Sequence, residues 1–342
     1  MLRVAEGRID RIGMDMPNRV LVTGAAGFVG RWVCRTLLAN GSAVVALDVN
    51  ASERRQRENL GALVDEIDLV LVNDLVEIDL RPVLSSVDAV VHLAGSPGVQ
   101  TSWAGGFDHH VRNNLSATQR LLEAALDAPV DRIVVASSSS VYGNIPGAPA
   151  TEDHPLRPLS PYGASKAAME HVVGAYVDRG LAVTPLRYFT VYGPHQRPDM
   201  AIHRMIEALK GGEPFPLRGD GSHQRNFTFV GDAAAATVRA IDLDLTPGRP
   251  YNVGGEGTAS VKQVLDLLGE LAGRPVPVQQ VAAVPGDPQR TVADITRARE
   301  ELRWVPEVDL EPGLLAQLNW QLRRSNPIPT KPMPSSVPSH GH

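Results

Sequence analysis

The stretch Arg19-Val20-Leu21-Val22-Thr23-Gly24-Ala25-Ala26-Gly27-Phe28-Val29-Gly30 decides how the chain folds. Val20-Leu21-Val22 at its head is an unbroken apolar run, the pattern of a strand buried on both faces. Glycines at 24, 27 and 30 then open a helical pattern from Phe28 to Leu38. In such a turn the first glycine makes the bend, the second lets backbone approach a diphosphate, and the third lets the helix pack on the strand. The N–H groups of Phe28, Val29 and Gly30 add the positive end of a helix dipole. A dinucleotide site is expected here. Asp48 ends the next strand pattern. A carboxylate there accepts from the adenosine ribose hydroxyls and repels a 2′-phosphate, so NAD is expected in preference to NADP.

Similar runs recur at Val44-Val45-Ala46-Leu47, Leu69-Val70-Leu71-Val72, Ala89-Val90-Val91-His92-Leu93, Arg132-Ile133-Val134-Val135-Ala136 and Val183-Thr184-Pro185-Leu186, separated by helical patterns. Buried strands alternating with helices imply right-handed parallel crossovers, hence an α/β fold with a doubly wound, Rossmann-type parallel sheet. Asp74-Leu75, after the third strand, is a candidate for the adenine edge, and Gly95 to Gly98, after the fourth, falls on the cofactor side by topology. Beyond about residue 190 the pattern loosens into Gly- and Pro-rich loops with helices near 199–210, 231–242, 260–272 and 311–323. The expected division is a polar extension over 1–17, a nucleotide domain over 18–187 and 226–255, and a smaller mixed α/β lobe over 188–225 and 256–325. Prolines at 327, 329, 332, 334 and 338 predict a disordered tail over 326–342.

Length and composition narrow the function. A chain of 342 residues with 43% apolar and 21% charged residues can bury a large core. Its 33 basic and 38 acidic residues give a net charge of −5, which argues against nucleic acid as partner. The one cysteine, Cys34, can build neither an internal disulfide nor a Cys-rich metal site, and reads as a small core residue. The charged N-terminus lacks a signal-peptide core, and no apolar run approaches the roughly 20 residues of a membrane span. No membrane partner, no metal and a cytoplasmic location are the expectations.

Two segments carry candidate chemistry, Ala136-Ser137-Ser138-Ser139-Ser140-Val141-Tyr142-Gly143 and Ser160-Pro161-Tyr162-Gly163-Ala164-Ser165-Lys166. Tyr162 and Lys166, four apart on a helix, share a face. A phenol is a poor base at neutral pH, but an adjacent ammonium favours the phenolate. Tyr162 would then take a proton from a substrate hydroxyl while hydride leaves the neighbouring carbon, with Ser138 bridging the two oxygens. His109-His110 reads as a solvated helix start.

The ordered set TGAAGFVG at 23, the strand-end Asp48, DL at 74, HLAG at 92, Asn114, SSSSVYG at 137, SPYGASK at 160, RYFTVYGPHQRPDM at 187, GDGSHQRNFTFVGD at 219, YNVGG at 251 and GDPQRTVAD at 286 resembles the extended short-chain dehydrogenase/reductases. The match is to their NAD-dependent nucleotide-sugar epimerase/dehydratase family. The resemblance implies Tyr162, Lys166 and Ser138 as catalytic residues. It implies NAD contacts from Gly24, Gly27, Phe28, Val29, Gly30, Asp48, Asp74, Leu75, Leu93, Ala94, Gly95, Asn113, Tyr162, Lys166 and Tyr188. Substrate contacts are implied at Pro97, Gly98, Ser138, Ser139, Ser140, Tyr162, Thr190, Arg197, Arg225 and Arg290, with Arg225 and Arg290 on the diphosphate. Asn114 is expected to order Lys166 or backbone. A homodimer through the helices containing 110–126 and 162–178 is implied by the resemblance alone.

The residues beside the serine separate the reactions of this family. Its 4,6-dehydratases carry an Asp-Glu pair, and its glucuronate decarboxylases a Glu, where this chain has Ser139 and Ser140. A hydroxyl shelf without acid or base suits oxidation, rotation and re-reduction, which is 4-epimerisation. FTVYG with RPDM is similar to UDP-glucuronate 4-epimerases, implying that the serines and Thr190 hold the sugar carboxylate. UDP-glucose or UDP-N-acetylglucosamine 4-epimerisation and UDP-glucuronate decarboxylation are the alternatives. An NAD-binding regulator without activity would not need Tyr162, Lys166 and Ser138 together. Two departures stand out, Gln100 for the subgroup's usual Arg and Asn226 for the usual Asp.

Overall fold

The computed structural model describes residues 16–49, 53–145, 147–282 and 288–325. Residues 1–15 of the expected extension, the whole expected tail, and Gly286-Asp287 of the late motif lie outside the described residues.

Seven strands form one parallel sheet: β1 (Arg19–Thr23), β2 (Ala43–Val49), β3 (Asp68–Val72), β4 (Ala89–His92), β5 (Arg132–Ser138), β6 (Val183–Tyr188) and β7 (Tyr251–Val253). Their order is β3-β2-β1-β4-β5-β6-β7. The chain winds one way through β2 and β3 and the other way from β4 onward, so a crevice opens at the C-terminal ends of β1 and β4. The five expected strand runs and the glycine turn all fall where the sequence places them.

The period-2 alternation of β1 explains its unbroken apolarity. Val20 and Val22 enter one core with Ala89, Val91 and Val134, covered by Val33 and Leu37 of helix α1 (Phe28–Ala39). Leu21 enters the opposite core with Val90, Ile133 and Val135, covered by Leu121 and Leu122 of α2 (Ala117–Ala125) and by Met169 and Val173 of α3 (Pro161–Val177). Burying each such side chain contributes about 1.5–3 kcal/mol. The first core is completed by α4 (Val230–Asp242).

The second lobe has its own core of Tyr192, Ile202, Met205, Ile206, Val264 and Leu268. Its helices are Ala201–Leu209, Val261–Ala272 and Leu310–Ser325, close to the expected ranges. Strand Gln224–Arg225 lies between Ala259–Ser260 and Arg290–Thr291. One stretch within residues 256–325 packs toward the sheet. Ala298, Leu302 and Trp304 belong to the first core, and the Tyr251 hydroxyl of β7 donates to Glu301 at 2.6 Å. These apolar side chains cover the sheet, which ties helix Thr296–Glu301 to the nucleotide domain. Among the described residues, no helix is long and apolar enough to cross a membrane.

Candidate active site

The glycine turn is tight because three backbones share it. Gly24 has φ +67°, and a β-carbon on it would lie 2.8 Å from Ala94 N. One on Gly27 or Gly30 would strike the Gly24 carbonyl, at 2.9 and 2.1 Å. Gly27 caps α1 with no side-chain bond, leaving its opening N–H groups, those of Phe28 and Val29 among them, without a side-chain acceptor. Asp48 accepts from Ala26 N at 2.8 Å and Val49 N at 2.8 Å, so its carboxylate is aimed from the end of β2. Burial pushes this carboxyl above its usual range, and the two N–H donors oppose the rise. A side-chain-free cradle, a helix N-terminus and a fixed carboxylate at one sheet edge fit an NAD diphosphate and ribose.

Around β4 a relay of hydrogen bonds fixes one tautomer. Thr118 Oγ1 donates to Asn114 O at 2.8 Å, so it accepts from His92 Nε2 at 3.1 Å. His92 Nδ1 then accepts from Thr23 Oγ1 at 2.7 Å, and Thr23 Oγ1 accepts from Ala94 N at 3.2 Å. His92 is neutral, since burial holds it down to about 3, with the nearby Lys166 charge adding to the effect. The relay pins Leu93 and Ala94 beside the crevice. Asn113 and Asn114 pin the next residues. Asn113 Nδ2 donates to Ser96 Oγ at 2.8 Å, while Asn114 accepts from Ser96 N at 2.8 Å and donates to Ser96 O at 3.0 Å. Both asparagines lie in Val111–Ser116, a π-helical turn between Phe107–His110 and α2.

Tyr162 and Lys166 are placed by helix α3. Ser160 caps it by accepting from Gly163 N at 3.1 Å, and Pro161 follows in the first turn. This sets Tyr162 at the helix mouth and Lys166 one turn on. Lys166 Nζ donates to Ala136 O at 2.7 Å. Ser138 Oγ accepts from Ser140 N at 3.2 Å, and its hydroxyl lies close enough to the Tyr162 phenol to favour the phenolate. Burial pushes the Tyr162 phenol up, opposed by Ser138 and the Arg197 charge. Burial pulls Lys166 down to about 8, opposed by Glu170. Ser139 lines a small cavity with Tyr142, Phe189, Arg290 and Thr291.

Other expected site residues fall as follows. Asp74 pairs with Arg112 at 2.7 Å, and Leu75 packs in the second core. Gly95 lies against Asn114 and Lys166, where a β-carbon would approach their polar atoms to 2.8 and 3.5 Å. Pro97 and Gly98 lead to the turn Gln100–Ser102, with Gln100 exposed. The Tyr188 hydroxyl points to Thr237 of α4 at 2.7 Å; because Thr237 donates to Ala233 O, it accepts from Tyr188. Thr190 follows β6, and its carbonyl accepts from Thr228 N. Arg197 is paired bidentately with Asp199 at 2.9 and 2.5 Å. Arg225 Nη1 donates to Gln224 O at 2.9 Å, on the strand beside Arg290.

Three features escape the sequence reading. His110 is buried, not solvated: Nδ1 lies 2.9 Å from Ser96 O, and the ring stands edge-on to Tyr162 with centroids 5.7 Å apart. Glu170 and Arg187 form a buried ion pair at 2.6 Å beside the serine shelf. Asn226 is buried, donating to Gly255 O at 2.7 Å and to Gly257 O, and accepting from Ala293 N at 3.2 Å. An aspartate could not make the two donations, which explains that departure. The Glu170 signal was present as a carboxylate one turn past Lys166, and Arg187 as a lone cation in an apolar strand.

The chain has relatives among known proteins. The chain matches the NAD dependent epimerase/dehydratase family over residues 20–254. It is 36% identical to the uncharacterized UDP-glucose epimerase YtcB of Bacillus subtilis (strain 168), across 88% of this chain and 96% of that one. It superposes on the UDP-glucuronic acid 4-epimerase of Bacillus cereus, solved with UDP-glucuronic acid and NAD, with TM-score 0.84 and 36% identity over 90% of this chain and 99% of that one. MoeE5, solved with UDP-glucuronic acid and NAD, gives TM-score 0.81 and 41% identity over the same shares; MoeE5 has also been solved with UDP-glucose and NAD. The chain belongs to the NAD-dependent epimerase/dehydratase family, and NAD is its cofactor.

Proposed function

We propose that the chain is a UDP-sugar 4-epimerase whose preferred substrate is UDP-glucuronate. The observation that carries this reading is the end of β5, where Ser138 meets Tyr162 and the neighbouring positions are the hydroxyls Ser139 and Ser140. Eliminating water from a hexose needs an acid and a base at those positions. The nearby carboxylate of Glu170 is committed to Arg187.

NAD, when bound, supplies the acceptor for hydride from C4 and gives it back. Tyr162 takes the O4 proton and returns it after the sugar has turned over. Lys166 stabilises the phenolate through its charge, and Ser138 donates to the same oxygen. Arg225 and Arg290 hold the diphosphate while the sugar rotates; a guanidinium suits a phosphate bidentately. Oxidised at C4, glucuronate is a β-keto acid that loses CO₂ when its carboxylate aligns with the carbonyl. The hydroxyls of Ser139, Ser140 and Thr190 hold that carboxylate out of alignment.

A second reading is 4-epimerisation of UDP-glucose. The pairing of Arg197 with Asp199 favours it, because the cation is already matched and the shelf is neutral. Incubation with UDP-glucuronate, UDP-glucose and UDP-N-acetylglucosamine, reading epimer, CO₂ and 4-keto product separately, decides between them. The galacturonate epimer with no CO₂ is expected; turnover of UDP-glucose alone would overturn the substrate assignment.

A further inference from the structure

Tyr162, Lys166 and Glu170 stand at successive four-residue steps on α3, so they share one helical face. Each faces the end of β5: Tyr162 lies near Ser138, Lys166 donates to the Ala136 carbonyl, and Glu170 accepts from Ser137, whose hydroxyl donates to Oε1 at 2.5 Å. Glu170 is held from the other side by Arg187 of β6, the register partner of Ser137, with Nη2 to Oε2 at 2.6 Å and Nε to Oε1 at 3.0 Å. Arg187 Nη1 donates onward to the Tyr142 hydroxyl at 2.8 Å and the Glu152 carbonyl at 2.9 Å. The carboxylate is fixed from two strands, one helical turn from the ammonium.

We propose that Glu170 is a positioning residue for proton transfer: its anchored negative charge keeps the buried Lys166 ammonium charged beside Tyr162, and its bonds to Ser137 and Arg187 lock the strand end that presents Ser138. Glu170 touches neither sugar nor cofactor in the mechanism above. It acts on Lys166, whose burial would otherwise strip its proton. The other charged or titratable groups around the pair cannot substitute. His92 from β4 is neutral, and burial holds His110, from Phe107–His110, below its usual range. Arg187 from β6 is a cation, and Asp199, in the loop before Ala201–Leu209, is paired with Arg197. Glu152 accepts from Asn252 N and lies beyond Tyr142, which donates to Asn252 Oδ1.

The proposal rests on Tyr162 as the proton-transfer group, and its test separates the two. The chain has four lysines, Lys166, Lys210, Lys262 and Lys331, so carbon-13 labelling of lysine ε-carbons gives resolvable signals. Lys166 is assigned by loss of its signal in Lys166→Met. With NAD bound, its titration midpoint is expected to fall by about one pH unit or more in Glu170→Gln, the scale of a close opposite charge, and to return in Glu170→Asp. If Glu170→Gln unfolds because Arg187 is left as an unmatched buried charge, Glu170→Gln/Arg187→Met removes both charges and gives a fall in the same direction, smaller because the Arg187 cation goes with it. The alkaline limb of kcat, on whichever UDP-sugar turns over, is expected to move equally, with KM unchanged. A Lys166 midpoint equal to that of the parent in the folded variants overturns the proposal. A midpoint that falls in a protein turning over no UDP-sugar supports it, and overturns the reading of the reaction instead.

Discussion

Gly163 sits so close to Ser140 that a β-carbon on it would come within 2.5 Å of the Ser140 carbonyl oxygen. The helix carrying Tyr162 therefore rests directly on the turn that follows Ser138. Gly163→Ala must push the two apart, and a displacement near 1 Å at reacting groups costs about 100-fold in rate. We expect kcat to fall by about that factor while bound NAD is retained. Parallel assays of turnover and of cofactor released on heating check this.

Tyr162→Phe removes the proposed proton carrier but leaves the cradle at Gly24 to Gly30 intact. Turnover should drop by about 10²–10⁴-fold, the usual worth of a positioned acid–base group. UDP-sugar affinity by calorimetry should change little. A variant that keeps a tenth of parental kcat would show that another group moves the proton.

The buried Lys166 ammonium costs the fold stability. Its folded-state value of about 8 lies below that of an unfolded lysine. Below pH 8 it is charged in both states, and the burial penalty is fully present. Between about 8 and 10.5 the folded chain sheds the proton while the unfolded chain keeps it, so this group makes stability rise with pH. Lys166→Met should abolish activity yet raise the thermal midpoint at pH 7, with the gain shrinking through that window. Calorimetry at pH 7 and pH 10 measures it.

Asn226 donates to two carbonyls, so Asn226→Asp would set a carboxylate against them. A lost buried donor of this kind costs about 1–3 kcal/mol. The new carboxyl would titrate higher when folded than when unfolded, so the deficit should narrow as pH falls toward 5. Thermal unfolding at pH 7.5 and pH 5 tests both statements.

Asp48 is aimed by Ala26 N and Val49 N, so Asp48→Asn keeps the shape but loses the charge that favours ribose hydroxyls and excludes a 2′-phosphate. NAD affinity should weaken about tenfold, the worth of one charge-assisted bond, and NADP affinity should improve. Fluorescence titration with each reduced cofactor reads the ratio.

The sheet was legible because burial on both faces writes itself as unbroken Val and Leu, as in Val20-Leu21-Val22 and Val90-Val91. The glycine turn and the Tyr162–Lys166 spacing were legible because each has a local geometry behind it. Glu170 and Arg187 were not, because the pairing joins a helix to a strand 17 residues on and no local period links them. His110 was missed because two adjacent histidines look solvated, whereas only His109 is exposed and His110 is turned under toward Ser96. The placement of Thr296–Glu301 was hidden too, since its few apolar residues gain meaning only against Tyr251.

The wide turn at Val111–Ser116 makes this part of the chain sensitive to length rather than to identity. A π turn holds one residue more than the α turn it interrupts. Removing a single residue there would restore a regular helix with its two ends little rotated, but it would close the wide turn from which the adjacent Asn113 and Asn114 both reach Ser96. Ser96 would lose one of its two asparagine partners in one stroke, though Tyr162, Lys166 and Ser138 had not been altered. A one-residue deletion in this turn is expected to be more damaging than any single substitution within it.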